Sequence, residues 1–231
     1  MGFMISESGI ANDLYKMFHV LFGGLKGGLA IGTMFMMVAI SAMNGLCVAG
    51  MAIGATIALP EMLKRNYDKR MITGVVQAGS SLGILIPPSV VMVLYGMIAR
   101  QPVSKLWMAG ILPGLLMASL FLIYIYVRCK LQPELGPPLK KEEREVSTIE
   151  KIRLLKAGII PFLIFFLMTG LFLMGIASLV ECSAVGAFLA TLAAIYKRRF
   201  NKQVLENTLK KTLGVSCMFM WIILAALTFG A

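Results

Sequence analysis

Charge is the scarce ingredient of this sequence. Asp, Glu, Lys and Arg supply 14% of its 231 residues, against about 25% in a soluble domain. Histidine occurs once, at His19, with no second ligand near it in the chain. No catalytic or metal-ligating role is expected for that imidazole. Cys47, Cys129, Cys182 and Cys217 are far apart and form no CxxC pair. That spacing argues against a transition-metal site and against a disulfide frame. The four thiols read as small apolar packing groups. No basic stretch and no small-residue cleavage site opens the chain, so no signal peptide is expected.

What is present in quantity is apolar. Hydrophobic residues reach 58%, above the roughly 45–50% of soluble domains, and the mean hydropathy is +0.84. The expected fold class is an all-α polytopic membrane protein in the lipid bilayer. The net charge of +11 comes from 22 basic and 11 acidic residues. In a soluble domain that balance would suggest nucleic acid. Here the basic residues fall in short loops between apolar runs, the pattern of cytoplasmic loops, so nucleic acid is not an expected partner. Both ends of the chain lie in apolar runs, which reads as a piece of a longer protein.

Residues 1–28 read as the end of a span followed by an interfacial amphipathic helix. Ile10, Leu14, Met17 or Phe18, and Leu21 share one face; Asn12, Asp13, Lys16 and His19 share the other. Residues 29–60 carry no charge and are punctuated by Asn44-Gly45. Arms at 29–43 and 50–60 would measure about 22 Å and about 16 Å, both short of a bilayer core of about 30 Å. A re-entrant helical hairpin is the expectation, and one full span with a loose connection is the alternative. Residues 106–127 form an ordinary span, with Trp107 at one end and Tyr124 and Tyr126 at the other, as in an aromatic belt. A polar linker, 128–156, separates this first set of elements (29–127) from a second set (157–231). The second set holds spans at 157–177, 178–196 and 212–231 and an amphipathic surface piece at 200–211. Basic residues concentrate in 61–70, 128–156 and 197–211, so these segments are expected on the cytoplasmic side and 100–105 outside.

The hairpin is followed by a span that cannot be straight. Residues 71–98 would make a helix of about 42 Å, but Pro87 and Pro88 interrupt it. Neither proline has an amide hydrogen, and their rings clash with the carbonyls of Gly83 and Ile84. Ile86, before a proline, is biased out of the α region. A broken helix at mid-membrane depth is expected, and its freed backbone must line a polar cavity or be buried in protein. The carbonyls of Gly83 and Ile84 with the hydroxyls of Ser80 and Ser81 suit a hard cation such as Na⁺. Asn44 and Gly45 at the hairpin tip are expected to approach them. Gly79, Pro87, Pro88 and Ser89 shape the break or meet substrate. The second half-helix is expected to start near Pro87–Pro88, with its positive dipole end facing the membrane centre and suiting an anion. A packing kink is the alternative. Glu181 is the one acid of the second half outside its polar segments. It reads as a residue stabilised at a helix N-terminus or as a functional intramembrane acid.

Three motifs then carry a resemblance. They are ALPEMLKRNYDKR at 58–70, GSSLGILIPPS at 79–89 and AGILPG at 109–114, with ECSAVGA at 181–187 as a second-half counterpart. Together they resemble the large membrane subunit of tripartite ATP-independent periplasmic (TRAP) transporters, along essentially the whole chain. The resemblance implies a sodium-coupled symporter of the elevator type in a bacterial inner membrane. It implies an inverted-repeat fold, a small membrane subunit and a periplasmic substrate-binding protein as partners. Organic acids such as dicarboxylates and 2-oxo or hydroxy acids would be the cargo. It also implies that the hairpin tip and broken helix build one sodium site, with Na⁺ as coupling ion and no other cofactor. Departures are Asn44, Gly45, Leu46 and Cys47, where family members usually carry Ser-Gly or Thr-Gly, and Ser178, Leu179 and Val180, where Thr-Pro-Thr is common. The competing class is a non-transporting structural or assembly subunit, or a degenerate fragment. An intramembrane enzyme is not expected, because no histidine or lysine lies in a span to serve as its base.

Overall fold

The computed structural model describes residues 2–137 and 148–230. Its helices are α1 Gly2–Glu7, α2 Ile10–Phe22, α3 Gly28–Asn44, α4 Cys47–Lys64, α5 Lys69–Ser81, α6 Val90–Ile98, α7 Val103–Leu131, α8 Thr148–Leu173, α9 Leu179–Tyr196 and α10 Lys202–Gly230. Short 3-10 turns occupy Leu82–Ile84 and Pro133–Leu135. No strand occurs among the described residues. By length and apolarity, Val103–Leu131, Leu179–Tyr196 and Lys202–Ala226 can each cross a membrane. The middle of the 128–156 linker lies outside the described residues.

Helix α3 is the axis of the first unit. Its apolar residues run almost without interruption, and Met34, Met36, Met37 and Ile40 are fully buried. Helix α4 packs back along it: Gly50 sits on Ser41, Gly54 on Met37, and the Thr33 hydroxyl reaches the Met62 sulfur at 3.6 Å. The partner number falls as the other rises, so α3 and α4 are antiparallel. Helix α5 follows α3 in the same direction, with Gly79 on Met37 and Gly83 on Ser41. Small residues at these crossings let the backbones approach closely, which is how apolar helices gain packing in lipid. The Asp68 carboxylate starts α5 by accepting from the Arg70 and Met71 amides at 2.9 and 3.1 Å.

A second cluster joins α1, α2, the end of α3, α8 and α9 through Met4, Ile5, Ile10, Met43, Ile164, Ala190 and Ala193. Ion pairs tie its polar edge. Asp13 meets Lys197 at 2.8 Å and Arg199 at 3.0 Å, and Glu7 meets Lys211 at 2.6 Å. Burial raises the Asp13 pKa, but the two cations beside it outweigh that and hold it below the ordinary 3.8.

Several elements differ from the sequence reading. The apolar face of α2 is covered by protein: Leu14, Met17 and Phe18 are buried, and Phe22 stacks on Phe35 of α3 at 5.0 Å. Leu21, expected on that face, is 53% exposed. The second hairpin arm starts at Cys47, not 50, and runs through Pro60 to Lys64. The surface piece at 200–211 is not separate from the last span, because Lys202–Gly230 is one helix. No proline interrupts that stretch. Likewise α8 begins at Thr148, inside the expected linker.

Candidate functional site at the helix break

Helix α5 ends at Ser81, tightens into the Leu82–Ile84 turn, and gives way to an irregular stretch before α6. The structure puts the second half-helix later than expected. Pro87 and Pro88 precede it, and Ser89 is its N-cap, with Oγ accepting from the Met92 amide at 3.3 Å. A hydroxyl acceptor can satisfy an orphan amide of the first turn, which a proline at that position cannot. With no amide hydrogen on either proline, the carbonyls of Gly83 and Ile84 lose their α-helical donors.

The hairpin tip docks on the far end of this break. Gly45 ends α3 in the left-handed region at φ 67°, and its amide donates to the Ser41 carbonyl at 2.8 Å. The Gly45 carbonyl accepts from the Val90 amide at 3.1 Å. A Cβ on Gly45 would stand 2.5 Å from the Pro88 carbonyl oxygen and 3.1 Å from the Val90 nitrogen. Only glycine fits there, for both conformation and space. Asn44 turns back on its own helix, its Nδ2 donating to the Ile40 carbonyl at 3.0 Å.

Ser80 and Ser81 are not brought to the tip. Their hydroxyls donate to the carbonyls of Gln77 and Ala78 at 2.9 and 2.8 Å. In the register set by Gly79 and Gly83, Ser80 lies beside position 38, roughly 10 Å down α3 from Gly45. Gly83 does meet the hairpin, one turn before the tip: its added Cβ would be 2.7 Å from the Ser41 Cβ and 2.8 Å from the Ser41 carbonyl oxygen. Gly79 contacts Met37 instead.

Two residues at the site were not placed there by the sequence reading. Ser41 is completely buried between Gly50 and Gly83, and its hydroxyl has no hydrogen-bond partner. A hydroxyl in a largely apolar helix was the available clue. Trp107, expected in an aromatic belt, is only 4% exposed. Its Nε1–H donates to the Ser89 carbonyl at 3.4 Å, and its ring meets Phe172 edge to face at 4.6 Å. A buried indole needs an acceptor, and the broken backbone supplies one.

The oxygens left without donors near the break are uncharged: the Ser41 hydroxyl and the carbonyls of Gly83 and Ile84. Such a set suits a hard monovalent cation. A cavity of about 270 Å³ opens beside the docked tip and the start of α6, bounded by Asn44, Ser89, Cys182, Ser183, Thr212 and Ser216. Glu181 does not point its carboxylate into this group of ligands. It closes a capping box on α9, taking the Ser178 amide and hydroxyl at 2.7 Å each.

The family model described as the DctM component of tripartite ATP-independent periplasmic transporters matches residues 1–231. The chain belongs to the DctM family. A C4-dicarboxylate TRAP transporter large permease protein of Pseudomonas aeruginosa is 28% identical over 229 residues, covering 99% of this chain and 52% of that protein. The sialic acid TRAP transporter large permease of Vibrio cholerae is 23% identical over 230 residues, covering 99% of this chain and 52% of that protein. An ectoine/5-hydroxyectoine large permease of Ruegeria pomeroyi is 35% identical over 118 residues, covering 51% of this chain and 27% of that protein. The chain spans about half the length of the first of these relatives. The DctM family is described as a transporter component. In this DctM chain, the hairpin tip and the proline break are held together by main-chain hydrogen bonding.

Proposed function

We propose that this chain carries the cation site of a sodium-coupled TRAP large permease of a bacterial inner membrane. The observation that carries the reading is the Ser41 hydroxyl, buried without a partner on the Gly50 side of a residue whose Cβ and carbonyl face Gly83. Burying a hydroxyl unpaired is costly, and a Na⁺ shared with the freed carbonyls of Gly83 and Ile84 would satisfy it. The re-entrant reading of α3 and α4 draws support from their lengths of about 26 and 27 Å, each short of a bilayer core. In an elevator mechanism this hairpin and α5–α6 would move as one body with the ion.

The cargo is an organic acid delivered by a periplasmic binding protein, and a small membrane subunit completes the transporter. The N-terminus of α6 supports an anionic cargo, because its dipole favours a carboxylate. Relatives named for C4-dicarboxylates and for sialic acid are in keeping with that class.

The test is Ser41→Ala in a permease completed to the length of its relatives. Losing a charged-group ligand removes about 1.5 kcal/mol or more, so half-activation of uptake by sodium should rise about tenfold. A packing serine would give the opposite pattern: higher thermal stability with an unchanged sodium response. That result rejects the site. Absence of sodium-driven uptake in the unmutated permease would instead favour a structural subunit.

A further inference from the structure

A second site lies away from the break. Residues of α5 and α7, with Met34 of α3, line a crevice of about 800 Å³. Val75, Ala78, Leu120, Phe121 and Ile125 make its body apolar. Gly74 opens onto free space there, since a Cβ on it would meet no atom within 4 Å. Arg70 and Arg128 stand at the mouth with Asp68. Neither guanidinium has an ion-pair or hydrogen-bond partner among the described residues. One oxygen of the Asp68 carboxylate, Oδ1, already accepts from the Arg70 and Met71 amides. Counted together, the three groups leave the mouth with one net positive charge.

We propose that this crevice binds an anionic phospholipid, acyl chain inside and headgroup phosphate between Arg70 and Arg128. An apolar slot with a cationic rim matches the two ends of such a molecule. Helix α7 can cross a membrane by its length and composition, so the slot opens beside the lipid phase. Arg70 is also in the first turn of α5, where the helix dipole disfavours a cation and favours an anion. Both arginines belong to basic segments that the positive-inside rule assigns to the cytoplasmic side. Anionic lipids are concentrated in that leaflet, and basic pockets between spanning helices are their binding places. Free phosphate would use the rim but not the slot. The site goes beyond the transport reading and depends on neither the coupling ion nor the cargo.

The experiment is native mass spectrometry of the 231-residue chain in detergent. It would be titrated with phosphatidylglycerol, with phosphatidylethanolamine of the same acyl chains, and with inorganic phosphate. The chain should retain phosphatidylglycerol in preference to phosphatidylethanolamine, and inorganic phosphate should not displace it. Each arginine near the membrane surface contributes about fivefold. Arg70→Gln with Arg128→Gln should therefore cut that preference about twenty-five-fold while the chain still binds through the slot. Gly74→Leu should fill the slot and reduce retention of both lipids, without strain because its surroundings are open. An unchanged lipid preference in the double variant overturns the proposal. Full lipid retention by Gly74→Leu, or displacement by inorganic phosphate alone, does the same. Failure of the unmutated chain to retain any lipid would also overturn it.

Discussion

Replacing Gly45 with alanine tests whether the hairpin tip is locked to the helix break. At φ 67° an L-residue costs roughly 1–2 kcal/mol relative to glycine. The new Cβ also lands 2.5 Å from the Pro88 carbonyl oxygen and 3.1 Å from the Val90 nitrogen. Both are backbone atoms, which cannot swing aside as a flexible side-chain end can. Relief requires the tip to withdraw, which sacrifices the Val90 N–H to Gly45 carbonyl bond at 3.1 Å, a loss of about 1 kcal/mol. Together these terms amount to about 2–3 kcal/mol against the docked tip. Hydrogen exchange reads this locally. Pro87 and Pro88 have no amide, so a peptide covering 87–90 reports only Ser89 and Val90. Protection at Val90 should fall roughly 30- to 150-fold, by the conversion of about 1.4 kcal/mol per tenfold. Gly170→Ala serves as the control, because its added methyl meets nothing within 4 Å. It should be neutral or gain up to about 1 kcal/mol of helix propensity. Unchanged protection at Val90 in Gly45→Ala would refute the docking and the reasoning behind it.

Trp107→Phe keeps an aromatic ring on Phe172 but removes the Nε1–H bond to the Ser89 carbonyl. It should cost about 1 kcal/mol, read as a lower thermal midpoint in detergent. An unaffected midpoint would reduce Trp107 to filler. The Asp13 cluster predicts a pH dependence. Its folded pKa lies below the ordinary 3.8, so its stabilisation is complete above that value and fades as pH falls through the lower folded pKa. The stability difference between the unmutated chain and Asp13→Asn should therefore be large at neutral pH and shrink under acid. A gap that persists in acid would exclude the carboxylate as its source.

Sequence alone determined the features that covalent chemistry and local sterics dictate. A chain with so little charge and so much apolar surface has to be read as membrane-spanning. Two adjacent prolines remove two donors whatever surrounds them, so the break between α5 and α6 was legible. Asn44-Gly45 was legible as a turn for the same kind of reason, since Gly45 can take a positive φ. The tertiary structure decided which residues meet at the break. The register of α3 against α4 and α5 is set by Gly50, Gly54, Gly79 and Gly83 closing on Ser41 and Met37, contacts between segments distant in sequence. That register delivers Ser41 to Gly83 and leaves Ser80 and Ser81 bonded within their own helix. It is also packing that turned Trp107 inward and covered the apolar face of α2 with protein. A side chain's periodicity says that one face is apolar; only the neighbouring helices decide whether lipid or protein covers it.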